Sequence, residues 1–372
     1  MSQRENVNPI REQNHRKNSR RYQKRAAARR RRNTIFIVEI VLLLILAVVL
    51  FFVSKLSKIE KTKLDMDKIE VNEDISQESQ KIMKGYQTIA MFGLDNRSNG
   101  NLSQGRSDVI MLANINNDTK EVKLVSVYRD TYLDTGDGIF QKCNAAYAKG
   151  GPEQAISMLN VNLDLNITDY VTVDFNSIIE CVDLLGGVDM EITDDEASLM
   201  TGYIRELNEL TGNKAENLTQ GGTYTLNGVQ ACAYARIRYG GGDDYRRTER
   251  QRTVLTAMVK KAQQSDLTTV NKLINEVCGD IQTSFSNAEL LALASQVFQY
   301  SIGDTTGFPF TKTTKVLSKK TGDVVIPCDL SDNVKELHIF LYEDSAYTAS
   351  DTVKHNSEKI VSDTGFKSGD GH

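Results

Sequence analysis

The sequence predicts an α/β protein: a three-layer α/β/α sandwich around a mixed central β-sheet, preceded by one N-terminal transmembrane helix. Three observations lead there. Thr34 to Val53 is an apolar run of twenty residues with one charge, Glu39. Strand-like and helical segments then interleave along the chain, the pattern of a layered α/β domain. The early strands are joined by a link short enough for a hairpin, so the sheet is mixed rather than purely parallel.

Charge divides the chain before structure does. Residues 1–33 hold twelve Lys or Arg against Glu5 and Glu12, while the whole chain has a formal net charge of −4. A basic cytoplasmic tail (1–33) therefore precedes an acidic remainder. At 1.5 Å per residue the run 34–53 spans about 30 Å, the thickness of a hydrocarbon core. The basic cluster before it orients the N-terminus toward the cytoplasm. A cleaved signal peptide is the competing reading, but FFVSKLSKIEK lacks the small-x-small cleavage pattern, so an uncleaved anchor over 34–54 is expected. Glu39 either sits shallow or protonated in the bilayer or meets a partner helix; the first account is the simpler. Attraction to anionic lipids of the cytoplasmic membrane explains the tail better than nucleic acid does. The catalytic part is then expected outside the cell.

Residues 55–84 are polar, read as an extracellular stalk. The main domain is expected over 85–302. It opens with strands 85–94, 108–116 and 121–128, the last two joined by Asn117–Lys120. Pro152 is placed at a helix N1. DYVTVDF (169–175) reads as a buried strand, SIIECVDLLGG as a helix stopped by glycine, and VDMEI (188–192) as a strand. Helical pattern follows over 228–236, 244–264, 267–277 and 286–300, the last capped by Ser286 or Asn287. An extension over 303–350 reads as a β-pair and a helix, and 351–372 as a disordered tail.

Five widely spaced cysteines and four histidines form no CxxC or other metal-like spacing, which argues against a zinc site. The odd count leaves at least one cysteine unpaired; most read as small buried hydrophobes. No GxSxG, HExxH or Walker loop is present. Arg and Asp gather instead at element ends: Asp95 and Arg97, Arg106 and Asp108, Arg129 and Asp130, Arg236 and Arg238, then Asp244, Arg247, Arg250 and Gln251.

Asp95 and Asp108 flank neighbouring strands and can meet at one sheet edge, and two carboxylates with few other ligands suit Mg²⁺. Positions 244, 247, 250 and 251 share a helix face. If 236–238 is extended, Arg236 and Arg238 point the same way. Arginine forks grip phosphate oxygens in bidentate fashion. Taken singly each pair reads more often as a structural salt bridge, as Glu249 with Arg252 does on the surface; the joint occurrence fits a diphosphate held with a metal.

GLDNR, GRSDVIML, SVYRDTYL, NAAYAKGG, DYVTVDF, LLGGVDMEI, LNGVQACAYARIR and DYRRTERQR occur in this order. Together they resemble the LytR-CpsA-Psr family over residues 85 to about 265, as do the basic tail and signal anchor. The resemblance implies a membrane-anchored phosphotransferase of Gram-positive bacteria. Such a protein moves a glycopolymer (a teichoic acid, capsular or related polysaccharide) from a polyprenyl-pyrophosphate carrier onto peptidoglycan through a phosphodiester bond. It implies that Asp95 and Asp108 hold Mg²⁺, with Mn²⁺ as a substitute. Arg106, Arg129, Arg236, Arg238 and Arg247 then bind the pyrophosphate with Gln251 close by, and Asp130 or Asp244 assists proton removal. It also implies a hydrophobic tunnel for the prenyl chain; SIIECVDLLGG and TVLTAMV are candidates to line it, though core packing explains them as well. One departure is Tyr128, where the family usually has proline before the Arg-Asp pair. The alternatives are a polyprenyl-pyrophosphate hydrolase and a non-catalytic regulator that binds anionic lipid or polymer.

Overall fold

Near-continuous apolar runs in the strands supply a sheet with two apolar faces, and the helices cover both. The structure is a computed structural model that describes residues 60–61, 64–94, 102, 105–238, 243–266, 269, 272–273, 281–319 and 321–371. The chain divides into a unit of residues Met1–Lys55, outside the described residues, and a unit Leu56–His372. The expected tail, anchor and Glu39 thus lie outside the described residues. Among these residues no helix is long and apolar enough to cross a membrane.

In chain order the elements are β1 (Glu60–Lys61), α1 (Gln77–Met83), β2 (Tyr86–Leu94), β3 (Ser107–Asn116), β4 (Glu121–Val127), β5 (Tyr132–Asp134), β6 (Phe140–Lys142), α2 (Ala145–Leu163) and β7 (Asp169–Asp174). Next come α3 (Phe175–Leu184), β8 (Val188–Ile192), α4 (Asp194–Thr211), β9 (Gly222–Leu226), α5 (Gly228–Arg236) and α6 (Asp243–Gln264). The rest are β10 (Ile281–Thr283), α7 (Asn287–Ser295), β11 (Ser301–Phe308), β12 (Lys312–Ser318), β13 (Gly322–Pro327), α8 (Leu330–Tyr342) and α9 (Asp351–Thr364).

The main sheet has the order β1-β10-β7-β2-β3-β4-β11. The hairpin β2–β3–β4 is antiparallel, whereas β7 runs parallel to β2 and β11 parallel to β4, so the sheet is mixed as expected. Ala90, Phe92 and Leu94 face one core, built with α2, α8 and α9. Ile89, Met111 and Leu124 face the other, where Leu255 of α6 and Leu290 and Leu293 of α7 pack. A third core joins α3, β8, α4 and α5 to Val254 and Met258 of α6. Helix α6 therefore packs on the sheet and on this smaller lobe at once, and its first turns are held from both sides.

Several elements differ from expectation. The segment after Leu64 is no free stalk. Leu64 and Ile75 are buried, the Asp65 N–H donates to the Glu153 carboxylate (2.9 Å) and the Glu70 N–H to the Ser157 hydroxyl (3.1 Å). Its few apolar residues were diluted by charged neighbours, which hid a docking stripe. Helix α2 starts earlier than expected, at Ala145, but breaks at the non-helical Gly150 and Gly151, so Pro152 opens its second part at the N1 place expected for it. The tail expected to be disordered forms α9, capped by Ser350 and anchored by Val353 and Ile360. Two apolar anchors one heptad apart are too sparse for composition to register. Helix 267–277 lies mostly outside the described residues. Ser286, not Asn287, caps α7, its hydroxyl accepting from the Glu289 N–H.

Candidate functional site

The C-terminal ends of β2 and β4, the start of β3 and the first turns of α6 meet at one edge of the sheet. Ladder geometry explains this, because β3 is antiparallel to both neighbours, so its start lies beside their ends. Arg129 follows β4 and Asp108 stands near the start of β3, and the Arg129 guanidinium donates to Asp108 Oδ1 at 2.7 Å. Arg129 Nε also lies 3.8 Å from Asp244 Oδ1 and 3.9 Å from Asp130 Oδ1. Arg247, only 2% exposed, pairs with Asp244 at 2.9 Å and donates to the Asp108 carbonyl at 3.3 Å. Arg238 lies 3.7 Å from Asp108 Oδ2. Asp108, Arg129, Asp130, Arg238, Asp244 and Arg247 thus form one charged cluster.

The other expected residues fall elsewhere. Asp95 lies outside the described residues. Arg106 is exposed and makes no ion pair among them. Arg236 ends α5 in helical rather than extended conformation, so it does not point with Arg238. It pairs instead with Glu206 at 3.2 Å and lies over the Phe175 ring. Arg250 turns to Glu196 at 3.0 Å, and Glu196 also closes the capping box of α4 with Thr193. Arg252 is not a surface partner of Glu249: it is buried and donates to the Ser126 hydroxyl at 2.8 Å. Helix register alone assigned it to the surface, because the smaller lobe and the sheet cover more of α6 than one face.

Sequence reasoning also missed Lys142, Tyr245 and Lys312. Lys142 Nζ lies 3.2 Å from Asp130 Oδ1. The Tyr128 and Tyr245 rings are 4.5 Å apart, and Lys312 Nζ sits 4.8 Å from the centre of the Tyr245 ring. Tyr128, in the place of a proline, uses the N–H that proline lacks: it donates to the Phe308 carbonyl at 3.0 Å. No local signal flagged these contacts, which join residues on different elements of the fold.

Electrostatics mark the cluster as unfinished. Arg129 Nε, Asp244 Oδ2, Arg247 Nε and Gln251 Oε1 are buried without a hydrogen-bond partner among the described residues. Orphaned buried polar atoms at such density call for a ligand. Burial pushes the Arg247 guanidinium down to about 10, against the help of Asp244. For Arg129 burial is outweighed by Asp108, Asp130 and Asp244, and its pKa is raised. An anion between these groups restores what desolvation costs.

A pH dependence follows. Anion binding favours protonated Arg247, so affinity for inorganic pyrophosphate holds below about pH 10 and falls as the pH rises through it. An arginine with an ordinary pKa of 12.5 gives no such step there. Calorimetric titration with pyrophosphate between pH 8 and 11 checks it, and a flat profile contradicts it.

Beside the cluster lies an apolar cavity of about 140 Å³, lined by Met91, Val109, Phe175, Ile178, Val254 and Met258 among others. Both segments proposed from the sequence contribute: Ile178 from SIIECVDLLGG, and Val254 and Met258 from TVLTAMV. Val109 directly follows Asp108, and Gln251, one turn after Arg247, also lines the cavity, so charged cluster and cavity are contiguous. Gly93 also lines it and permits close strand packing there, since a Cβ would meet Val109 at 2.9 Å.

The donors that a metal could use at the site are carboxylate oxygens, chemistry that suits Mg²⁺ better than zinc. Asp108 is in place, with both oxygens near arginines, and Asp244 Oδ2 has no donor. Among the described residues no group of three or more His, Cys, Asp or Glu gathers as a metal cluster. Cys143, Cys181 and Cys328 are free thiols, two of them buried, and Cys232 is buried too; Cys278 lies outside the described residues.

The chain is similar to several known proteins. A polyisoprenyl-teichoic acid–peptidoglycan teichoic acid transferase TagU from Enterococcus faecalis is 30% identical over 210 residues, covering 56% of this chain and 64% of TagU. The biofilm regulatory protein A of Streptococcus mutans is 31% identical over 208 residues, 53% of this chain and 49% of that protein. The chain thus matches less than two thirds of the length of either relative. Among solved structures, TagT bound to LI-WTA superposes with a TM-score of 0.57 at 22% identity, covering 75% of this chain and 99% of TagT. YwtF (TagT) with bound octaprenyl pyrophosphate lipid gives 0.51 at 22% identity, over 70% and 92%. These likenesses show the fold. The sequence profile of the LytR_cpsA_psr family matches residues 46–315, most of the chain, and the protein belongs to that family.

Proposed function

We propose that the protein transfers a glycopolymer from a polyprenyl-diphosphate carrier to peptidoglycan, as a phosphotransferase held at the outer face of the cytoplasmic membrane by residues 34–54. The observation that carries this reading is the contiguity of the arginine–aspartate cluster with an apolar cavity. One half matches a diphosphate and the other a prenyl chain. The relatives' names, which speak of teichoic acid transfer and of bound octaprenyl pyrophosphate, support it.

In this reading Arg129, Arg238 and Arg247 grip the diphosphate, and the chain beyond it enters the cavity past Gln251. A sugar hydroxyl attacks the phosphorus nearer the polymer. The bond from that phosphorus to the bridging oxygen breaks, and prenyl phosphate departs with the electron pair. The hydroxyl proton passes to a carboxylate. Asp244 Oδ2, buried and without a donor, is better placed for this than Asp130, whose Oδ1 lies near both Lys142 and Arg129. Positioning and electrostatic stabilisation supply the rate, so no nucleophilic side chain is needed. Asp108, with Asp95, would hold Mg²⁺ or Mn²⁺, which when bound draws charge from the phosphate oxygens.

The full chain, incubated with Mg²⁺, a prenyl-diphosphate-linked glycan and short peptidoglycan oligomers, is expected to yield a covalent glycan–peptidoglycan product. Lipid phosphate release without that product identifies a hydrolase. Tight binding without bond cleavage identifies a non-catalytic binder. Chelation is expected to abolish transfer and added Mg²⁺ to restore it. Asp108→Asn is expected to weaken metal-dependent activity by about 100-fold; unchanged turnover in excess chelator contradicts the metal assignment.

A further inference from the structure

Arg129 touches Asp108, Asp130 and Asp244, so its backbone position sets the geometry of the cluster. Both residues beside it are tied to the C-terminal segment. The Tyr128 N–H donates to the Phe308 carbonyl at the end of β11 (3.0 Å), and the Val325 N–H of β13 donates to the Asp130 carbonyl (2.9 Å). Thr131 forms a further bridge to Val325. Side chains add to this frame. The Tyr128 hydroxyl occupies space that only glycine leaves at position 307, where a Cβ would lie 2.1 Å from it. Tyr128 packs on Tyr245, the residue after Asp244. Lys312 of β12 caps both rings, at 5.5 and 4.8 Å from their centres, and donates to the Phe310 carbonyl at 3.2 Å. Burial lowers its pKa.

We infer that the segment 301–327 is a positioning element of the diphosphate site, in which Gly307 and Lys312 act through Tyr128 and Tyr245 to set Arg129 and Asp244. This rests on the diphosphate reading above. Gly307 and Lys312 lie within the residues 46–315 that the family profile matches, and Val325 lies beyond them. Neither Gly307 nor Lys312 needs to touch substrate. Loss of either lets the 128–131 turn move relative to α6, and displacements of that size are enough to weaken an aligned clamp.

The test uses the full chain in nanodiscs, with farnesyl diphosphate and farnesol as probes and amide hydrogen exchange as an independent readout. Gly307→Ala and Lys312→Gln are expected to weaken farnesyl diphosphate binding by about tenfold with farnesol binding unchanged, and Lys312→Gln to keep the wild-type thermal midpoint. Lys312→Arg, which keeps charge and ring contact, is expected to restore affinity to within about twofold. Exchange at 128–131 is expected to rise in Gly307→Ala and Lys312→Gln. Wild-type affinity for farnesyl diphosphate in both variants, or unchanged exchange at 128–131, overturns the proposal. Faster exchange in the variants of a wild type that binds no farnesyl diphosphate supports the mechanical coupling but overturns the diphosphate reading.

Discussion

Arg129→Ala is expected to lower glycan transfer by about 1,000-fold or more, because it removes a donor aimed at developing charge and unlocks its neighbours. The side chain donates to Asp108 at 2.7 Å and lies within 4 Å of Asp130 and Asp244. Its loss leaves those carboxylates with Arg238 at 3.7 Å from Asp108, Arg247 at 2.9 Å from Asp244 and Lys142 at 3.2 Å from Asp130 as remaining partners. Arg129→Lys is not expected to rescue, since one ammonium cannot reproduce a planar fork shared among three carboxylates and a diphosphate. Turnover is expected to fall far more than lipid affinity, because the cavity is untouched. Initial rates over a range of lipid concentrations separate the two. Retention of more than about a tenth of wild-type turnover removes Arg129 from the centre of the mechanism.

The second large effect is expected from the cavity. Ala235 lines it from the last turn of α5, and Ala235→Phe places a phenyl ring in a space of about 140 Å³. A prenyl segment excluded from about 150 Å² of apolar burial loses about 4 kcal/mol at 25 cal/mol per Å², or several hundredfold in affinity. Inorganic pyrophosphate, which needs only the charged cluster, is expected to bind the variant as it binds the wild type. Competition between prenyl diphosphates of increasing length and pyrophosphate measures this directly. Equal loss for both ligands indicates a general folding defect, and no loss for the lipid places the prenyl chain elsewhere.

The extent to which the sequence announced this architecture differs by element. The sheet was legible because β2, β3 and β4 are short runs rich in apolar and β-branched residues, and only four residues separate β3 from β4. Asp108, Arg129, Asp244 and Arg247 were legible as a set, since spacing along α6 and position at strand ends each act locally. Arg236 was misplaced because the outcome hinged on whether α5 ended one residue earlier, a boundary that propensity does not resolve. Arg252 and Lys312 depend on tertiary contacts, with β4 and with Tyr245, that no periodicity encodes. The buried stripes of α9 and the segment from Leu64 were masked by charged neighbours, although Val353, Ile360, Leu64 and Ile75 carry the packing. The cavity followed from the family resemblance; apolar pattern alone does not distinguish a lined void from a filled core.

The fate of one phosphorus atom tests the central claim most directly. A prenyl-diphosphate-linked glycan carrying ³²P at the phosphate nearer the sugar is supplied to the full chain with Mg²⁺ and peptidoglycan oligomers. A clamp that directs a hydroxyl at that phosphorus predicts that the label enters peptidoglycan as a phosphodiester, in step with unlabelled prenyl phosphate, and that Arg129→Ala suppresses both. Label that stays with the lipid, or leaves as free phosphate while glycan is joined to peptidoglycan, contradicts it.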